Sequence, residues 1–474
     1  MRTRLTVLAD EEKDAIHEAS LRVLARTGVR VDSAKARGLL KAFGAEVHDP
    51  SGVVRFPRAV VEQALGMATK EFSLGARREG WSLRMNAGDC LLCMDGQGVS
   101  TLDRRCAEVR PSTYQDLQEA TILGNALDEV GVYWSITTAA DREENPEHFL
   151  IYLRDLLRNF TKHIQEPVST AREAQLLREV LQIVYGSSKT IREKHPWSFL
   201  LCPLSPLVIE ESYTDAYLAM SGLDIPVGAM PMPLMGATAP ASLAATAVLG
   251  NSEVLGMLCI AQAAEPGVPF IYAPALALMD PRSGGYLSGA IENGILGAIE
   301  TEMGRYYKLP VMASGGSSGH FTPSIQSAVE RGMNGLLTAL SWPDIMVGPG
   351  LLGGSMILSL EQFYLDVEMF RMARRASEGL RANERTFLEE VIASVGPGGN
   401  FLAEDSTVEA VHAGQWYLGD LFTSAGYEEW VSRGKPSVLE EVRERVDRIL
   451  ASHQALPLSD EAEKELEALM ARSR

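Results

Sequence analysis

Seven short apolar runs recur between residues 131 and 350, nearly all with a Gly, Pro, Ser or Thr at or close to their ends, and with stretches of helical periodicity between them. They read "GVYWSITT", "FTKHIQ", "WSFLLCPL", "IPVGAMPM", "VPFIYAPA", "LPVMASGG" and "DIMVGPG". A strand buried on both faces needs no polar alternation, and a parallel neighbour requires a crossover helix. Seven such runs in roughly 220 residues predict an α/β fold, a TIM (β/α)8 barrel with one strand unassigned, because a doubly wound sheet of this length is less common. In a barrel the strand ends gather at the C-terminal face, where loops build active sites.

Residues 1–125 predict an N-terminal α+β extension packed on the barrel, 126–357 the barrel core, and 358–474 a C-terminal helical region. In the first part, Ser112 and Gln115 are spaced as a capping box. Between Glu71 and Asp103, alternating segments separated by Gly and Asn/Asp predict an antiparallel meander. In the last part "EQFYLDVEMFRM" and "VLEEVRERVDRIL" carry an apolar stripe at helical spacing, of the kind that caps or dimerises a barrel. A homo-oligomer is therefore expected.

The balance of 44 basic against 62 acidic residues, a net charge of −18, comes without any Lys/Arg cluster interleaved with aromatics, which argues against nucleic acid as a partner. No apolar run reaches the roughly 18–20 residues of a membrane span and the N-terminus has no signal-peptide core, so a cytoplasmic location is expected. Five cysteines make no disulfide framework. Cys90 and Cys93 form one C-x-x-C in "GDCLLCMDGQG" without the second pair or histidine of a zinc set, so no metal is expected.

The sequence contains no G-x-S-x-G elbow, H-E-x-x-H motif or G-x-G-x-x-G fingerprint, and it names no catalytic nucleophile or base. What remains is a set of side chains at strand ends. Tyr133 and Trp134 alternate, so one faces the barrel interior and the other the helices. His163 and Gln165 share a face of the next strand, where a buried, hydrogen-bonded histidine is the commoner arrangement. Tyr272 ends the fifth run, and Asp280 and Arg282 follow it as either a surface ion pair or a binding pair. The sixth run breaks into Ser314, Gly315 and Gly316 and carries His320 and Phe321 at its tip. Such a glycine-rich loop lets a ligand approach the backbone, or is simply flexible.

The order of "IHEASLRVLARTGVRVDS", "VRFPRAVVEQAL", "MDPRSGGYLSGAIENGIL", "LPVMASGGSSGHFTPSIQSAVE", "EQFYLDVEMFRM" and "VGPGGNFL" resembles the trimethylamine methyltransferase family along the full chain. The resemblance implies a TIM barrel with helical additions and methyl transfer from a methylated amine to the cobalt of a corrinoid carried by a separate protein, the cofactor being supplied by that partner rather than held tightly here. Some members carry pyrrolysine after the strand matching "LPVMASGG"; this loop has only standard residues, which is similar to the branch that demethylates glycine betaine. A quaternary nitrogen already leaves as a neutral amine, so no covalent adduct is required. Trp134, Tyr272 and Phe321 would then hold N-methyl groups by cation–π attraction. Arg282, His320 or the backbone amides of 314–319 would hold a carboxylate. The chain departs from the family pattern in two places: "MVGPGLLGGSM" replaces a His and Trp-Leu-Glu stretch, and Gly319-His320-Phe321 replaces an Asp-Ser-Lys type of sequence. These departures favour an alternative of another class, a catalytically silent barrel that binds a methylated amine or a corrinoid protein as sensor or scaffold. An unrelated barrel lyase or isomerase is disfavoured by the lack of a lysine or paired carboxylates at strand ends.

Overall fold

The computed structural model describes residues 4–143, 145–419, 421–422 and 426–473. Eight parallel strands form one ring: β1 Leu91–Cys93, β2 Val130–Tyr133, β3 His163–Gln165, β4 Trp197–Leu201, β5 Val227–Ala229, β6 Phe270–Tyr272, β7 Met312–Ser314 and β8 Ile345–Val347. β1 pairs with both β2 and β8, and a parallel bridge between Tyr272 and Val311 closes β6 against β7. Each strand is followed by a helix: α1 Tyr114–Ala126, α2 Pro146–Asn159, α3 Ala171–Tyr185, α4 Glu211–Leu218, α5 Leu243–Ala264, α6 Ile291–Tyr306, α7 Ile325–Ser341 and α8 Leu360–Glu378.

The strand missing from the apolar pattern is therefore the first one, and the barrel begins at Leu91 rather than near residue 126. Only three residues of "DCLLCMDG" pair, and the Gly and Asp around them mimic hairpin punctuation. The antiparallel part of the expected meander is confined to Ser73–Gly75 against Ser82–Arg84 and Ser100–Leu102 against Val109–Pro111. Cys90 and Cys93 fall in different buried clusters, one behind the sheet and one inside the barrel, so they do not converge. The capping box of α1 lies one residue further on than expected: Thr113 N donates to Asp116 Oδ2 at 2.7 Å, while the Ser112 hydroxyl is engaged by Thr101 and Thr137.

Strand parity divides the core in two. Cys93, Val132, Trp134, Leu200, Ile271, Ala273, Met312 and Val347 fill the barrel, whereas Tyr133, Ile164, Phe199 and Tyr272 face the helices. The hairpin at 72–85 plugs the N-terminal end with Phe72, Leu74, Leu83 and Met85. Gly75 anchors it there, its N–H donating to the His195 carbonyl.

α5 is 22 residues long and apolar enough by length and composition to cross a membrane. Here it is a core helix, because the N-terminal helices Asp10–Arg26, Ala34–Phe43 and Arg58–Met67 pack over the face turned away from the sheet. Full burial of Val254, Leu255, Leu258 and Ile260 is worth about 1.5–3 kcal/mol each. Val438–Ser452 returns onto α8 and α1, and Asp460–Arg472 onto α2 and α3. Between α8 and these helices, the described residues of the 380–432 segment form short helices with scarcely any core of their own.

Candidate active site

The C-terminal ends of β1, β2 and β3 bring three uncommon side chains to one place. Trp134 points into the barrel, and Gly96, in the turn after β1, lies so close to it that a Cβ there would stand 2.4 Å from the indole carbons. Only glycine permits that approach. Asp95, the preceding residue, is 8% exposed; its carboxylate accepts from Gly96 N at 3.0 Å and from Ser355 Oγ at 2.8 Å. Burial pushes its pKa up, and the Ser355 hydrogen bond and then the charge of Arg331 partly offset the shift. Gln165 ends β3, fully buried, and neither its Oε1 nor its Nε2 has a protein partner. The Trp134 Nε1–H is likewise unpartnered. Burying such groups unpaired costs about 1–3 kcal/mol each. They are the kind of exception expected where a ligand binds.

The backbone around Trp134 is held by its neighbours. Ser135 N and Oγ donate to Glu166 at 3.0 and 2.8 Å, and Gln97 Nε2 donates to Ser135 Oγ at 3.2 Å. Burial pushes Glu166 up to about 7, and it faces a separate cavity of about 250 Å3 beside α2. Across the mouth, Tyr286 in the loop after β6 packs on Gly354. Burial first, and the Asp95 carboxylate second, push its hydroxyl up.

Several sequence candidates are positioned otherwise. His163 sits at the plugged end of the barrel, where Nδ1 meets Gly75 O at 2.9 Å and Nε2 meets Ser198 Oγ at 2.8 Å. Burial lowers its pKa to about 3, so it is a neutral structural histidine. Tyr272 has the wrong parity for the mouth. Its hydroxyl donates to Asn251 Oδ1 on α5 at 3.0 Å, behind the sheet. Arg282 is 81% exposed and pairs with Asp280 at 2.8 Å, the surface ion pair.

Five of the six amides in the glycine-rich loop 314–319 are already engaged within the protein. Ser314 N donates to Glu300, Gly315 N to Val347 O, Gly316 N and Ser317 N to Asn334, and Gly319 N to Glu330. Its small residues serve packing: a Cβ on Gly315 would meet Thr338 of α7 at 2.7 Å. Gly316 adopts φ 73°, which any larger residue resists. His320 Nδ1 lies 2.9 Å from Thr322 O and 3.0 Å from Ser324 Oγ at the start of α7, and Phe321, 62% exposed, stands on the rim above Gly353. Of the candidates, the structure thus brings Trp134 and Gln165 together inside the barrel. Asp95 and Tyr286 were missed. For Asp95 the legible signal was an apolar run, "LLCM", ending in Asp-Gly like the other strand ends.

Exposed apolar side chains surround this face. Val99 follows β1, Leu204 β4, Met232 β5, Phe321 β7 and Met356 β8. Among the described residues no three His, Cys, Asp or Glu side chains gather as a metal set.

The family profile of trimethylamine methyltransferase (MTTB) matches residues 2–474. The chain is 28% identical over 467 residues to the trimethylamine methyltransferase MttB of Desulfitobacterium hafniense strain DCB-2, covering 98% of this chain and 93% of that protein. It is 27% identical over 471 residues to the glycine betaine methyltransferase of D. hafniense strain Y51, covering 99% and 97%. The solved hydroxylamine complex of MtmB shares the fold, with a TM-score of 0.50, 13% identity, and 93% and 92% of the two chains covered.

Proposed function

This chain belongs to the trimethylamine methyltransferase family and is a methyltransferase of its non-pyrrolysine, glycine betaine methyltransferase-like branch, and from that premise we propose that it takes a methyl group from a quaternary amine and passes it to the Co(I) of a corrinoid carried by a separate protein. The observation that carries the reading is a buried carboxylate, Asp95, one residue before the Gly96 that packs on the indole of Trp134, at the mouth of a barrel lined largely by apolar side chains. A fixed positive charge without N–H donors suits that pairing. Ring faces attract it by about 0.5–2 kcal/mol each, and the carboxylate compensates the charge. Trp134 and Tyr286 are the proposed faces.

The Co(I) supplies the nucleophile; the methyl C–N bond breaks, and the nitrogen keeps the electron pair as a neutral tertiary amine. No proton moves at the nitrogen, so the reaction asks for no general acid there. The chain's own part is positioning and charge compensation. The exposed apolar rim formed by Val99, Leu204, Met232, Phe321 and Met356 fits a broad, flat ring and the protein that carries it. The deciding assay mixes the purified protein with reduced corrinoid protein and follows formation of the methylated cobalt by its absorbance. Transfer from a quaternary amine and none from trimethylamine is expected; transfer from trimethylamine alone would overturn the reading.

The same reading includes a second copy of the chain. Leu402, Leu418 and Tyr427 in the 380–432 segment are exposed by 85, 71 and 68%, and α7 presents Ile325, Val329 and Met333 one turn apart. Beside them a cavity of about 460 Å3 between α7 and α8 is edged by Phe422 of that segment. An apolar arm next to an apolar stripe supports homo-oligomer formation, with one protomer's arm on its partner's α7.

A further inference from the structure

Trp134 and Gln165 face the same space from neighbouring strands. His163 lies opposite Val132 and Ile164 opposite Tyr133, so continuing the register puts Gln165 beside Trp134. Both have inward parity. The unpartnered atoms are one indole N–H, one amide NH2 and one amide oxygen, in side chains 9% and 0% exposed. A ligand group that satisfies this set must both accept and donate a hydrogen bond. A hydroxyl does both.

A carboxylate fits worse on two counts. It only accepts, so it would turn a negative oxygen toward Gln165 Oε1. It would also need a cation once out of water. Among the described residues the buried Lys and Arg side chains are Lys162 and Arg331, and both are committed elsewhere. Lys162 Nζ donates to the carbonyls of Gly124, Leu127 and Val130, and Arg331 pairs with Asp366 at 2.7 Å. The neighbouring walls, Leu200, Met230, Ala273 and Val347, are apolar. With Asp95 as the anion, a monocation leaves the site neutral, whereas a zwitterion leaves one charge unmatched.

We propose that Gln165 and Trp134 Nε1 read the hydroxyl of a short hydroxyalkyl quaternary amine of the choline type, and that the site discriminates against carboxylate tails. This inference rests on the quaternary-amine reading and adds the identity of the second functional group.

Calorimetric titration of the purified protein with choline, glycine betaine and tetramethylammonium tests it. Choline should bind at least tenfold more tightly than either of the others. Gln165→Leu should bring choline down to the level of tetramethylammonium, whose own affinity stays within twofold. Trp134→Phe, which keeps an aromatic face while removing the N–H along with part of the ring, should cost choline several-fold more than tetramethylammonium, which feels only the smaller face, and serves if the leucine variant misfolds. Glycine betaine binding as tightly as choline, or a choline advantage that survives both substitutions, would overturn the hydroxyl clasp while leaving the quaternary-amine reading intact. If none of the three ligands binds, the quaternary-amine reading fails and this inference with it.

Discussion

Asp95 is the residue on which recognition of a cation turns, because its carboxylate is buried one residue before the Gly96 that packs on Trp134, hydrogen-bonded by one backbone amide and one hydroxyl and eased by the charge of Arg331. Burial raises its folded pKa above the ordinary carboxylate range. The sign follows: as pH falls through that raised value the group protonates, the charge facing the ammonium disappears, and affinity falls; as pH rises above it, affinity is full. Asp95→Asn should therefore bind tetramethylammonium about tenfold more weakly near neutral pH, ~1.4 kcal/mol, with no acid-side decline. Titrations of both proteins from pH 8 down to the acid limit of the folded state check this, and an Asp95→Asn variant that binds as tightly as the unmutated protein near neutral pH would remove Asp95 from the site. At this scale the sequence exposed residue types but only part of the parity. It showed that one of Tyr133 and Trp134 must face inward, and Trp134 does; for Tyr272 it could not tell the mouth from the helix side. Nor could it show that the amides of Ser314, Gly316, Ser317 and Gly319 are taken up by Glu300, Asn334 and Glu330, since those partners lie 10 or more residues away in helices.

The tightest joint between elements is that of α6 with α7 and β7, where glycines replace side chains. A Cβ on Gly297 would stand 2.4 Å from Thr338 Oγ1 and 2.5 Å from the Ser314 carbonyl oxygen, and one on Gly294 would stand 2.7 Å from the Asn334 carbonyl. Backbone atoms cannot swing aside as a side chain does. Gly297→Ala gains about 1 kcal/mol of helix propensity but should lose about 1–3 kcal/mol or more to overpacking, a net destabilisation. Gly38→Ala is the control. It lies in the helix Ala34–Phe43 with nothing within 4 Å of its Cβ position, so it should stabilise by about 1 kcal/mol. Denaturant midpoints of the two variants should move in opposite directions, and equal shifts would refute the close approach. Elements were the most legible level of this chain, because seven of the eight barrel strands announce themselves as short, mostly apolar runs. β1 did not, being three residues long among Gly and Asp, and its pairing to β8 spans more than 250 residues of chain that no local pattern records.

For the molecule as a whole, the unresolved energy lies in the arm at 380–432. Its helices Glu384–Phe387, Glu389–Val395 and Asp405–His412 have no buried residues and are at most eight residues long, too short to persist on propensity alone. Their apolar side chains cannot reach the barrel core, which is already closed. An arm of this composition is stable when its apolar face meets another, and the stripe of Ile325, Val329 and Met333 on α7 supplies one. The expected particle in solution is therefore a multiple of the 51.6 kDa chain. Leu402→Glu together with Leu418→Glu should break it: both positions are largely exposed in the single chain, so the substitutions cost the protomer little and act on the interface. Light scattering coupled to size-exclusion chromatography reads the outcome, with circular dichroism to verify the fold. Wild-type protein that is monomeric at micromolar concentration, or a folded double variant with undiminished mass, would show that the arm does not join protomers. A monomeric variant that still binds a quaternary amine would separate assembly from the barrel mouth, where Asp95, Trp134 and Gln165 all belong to a single chain.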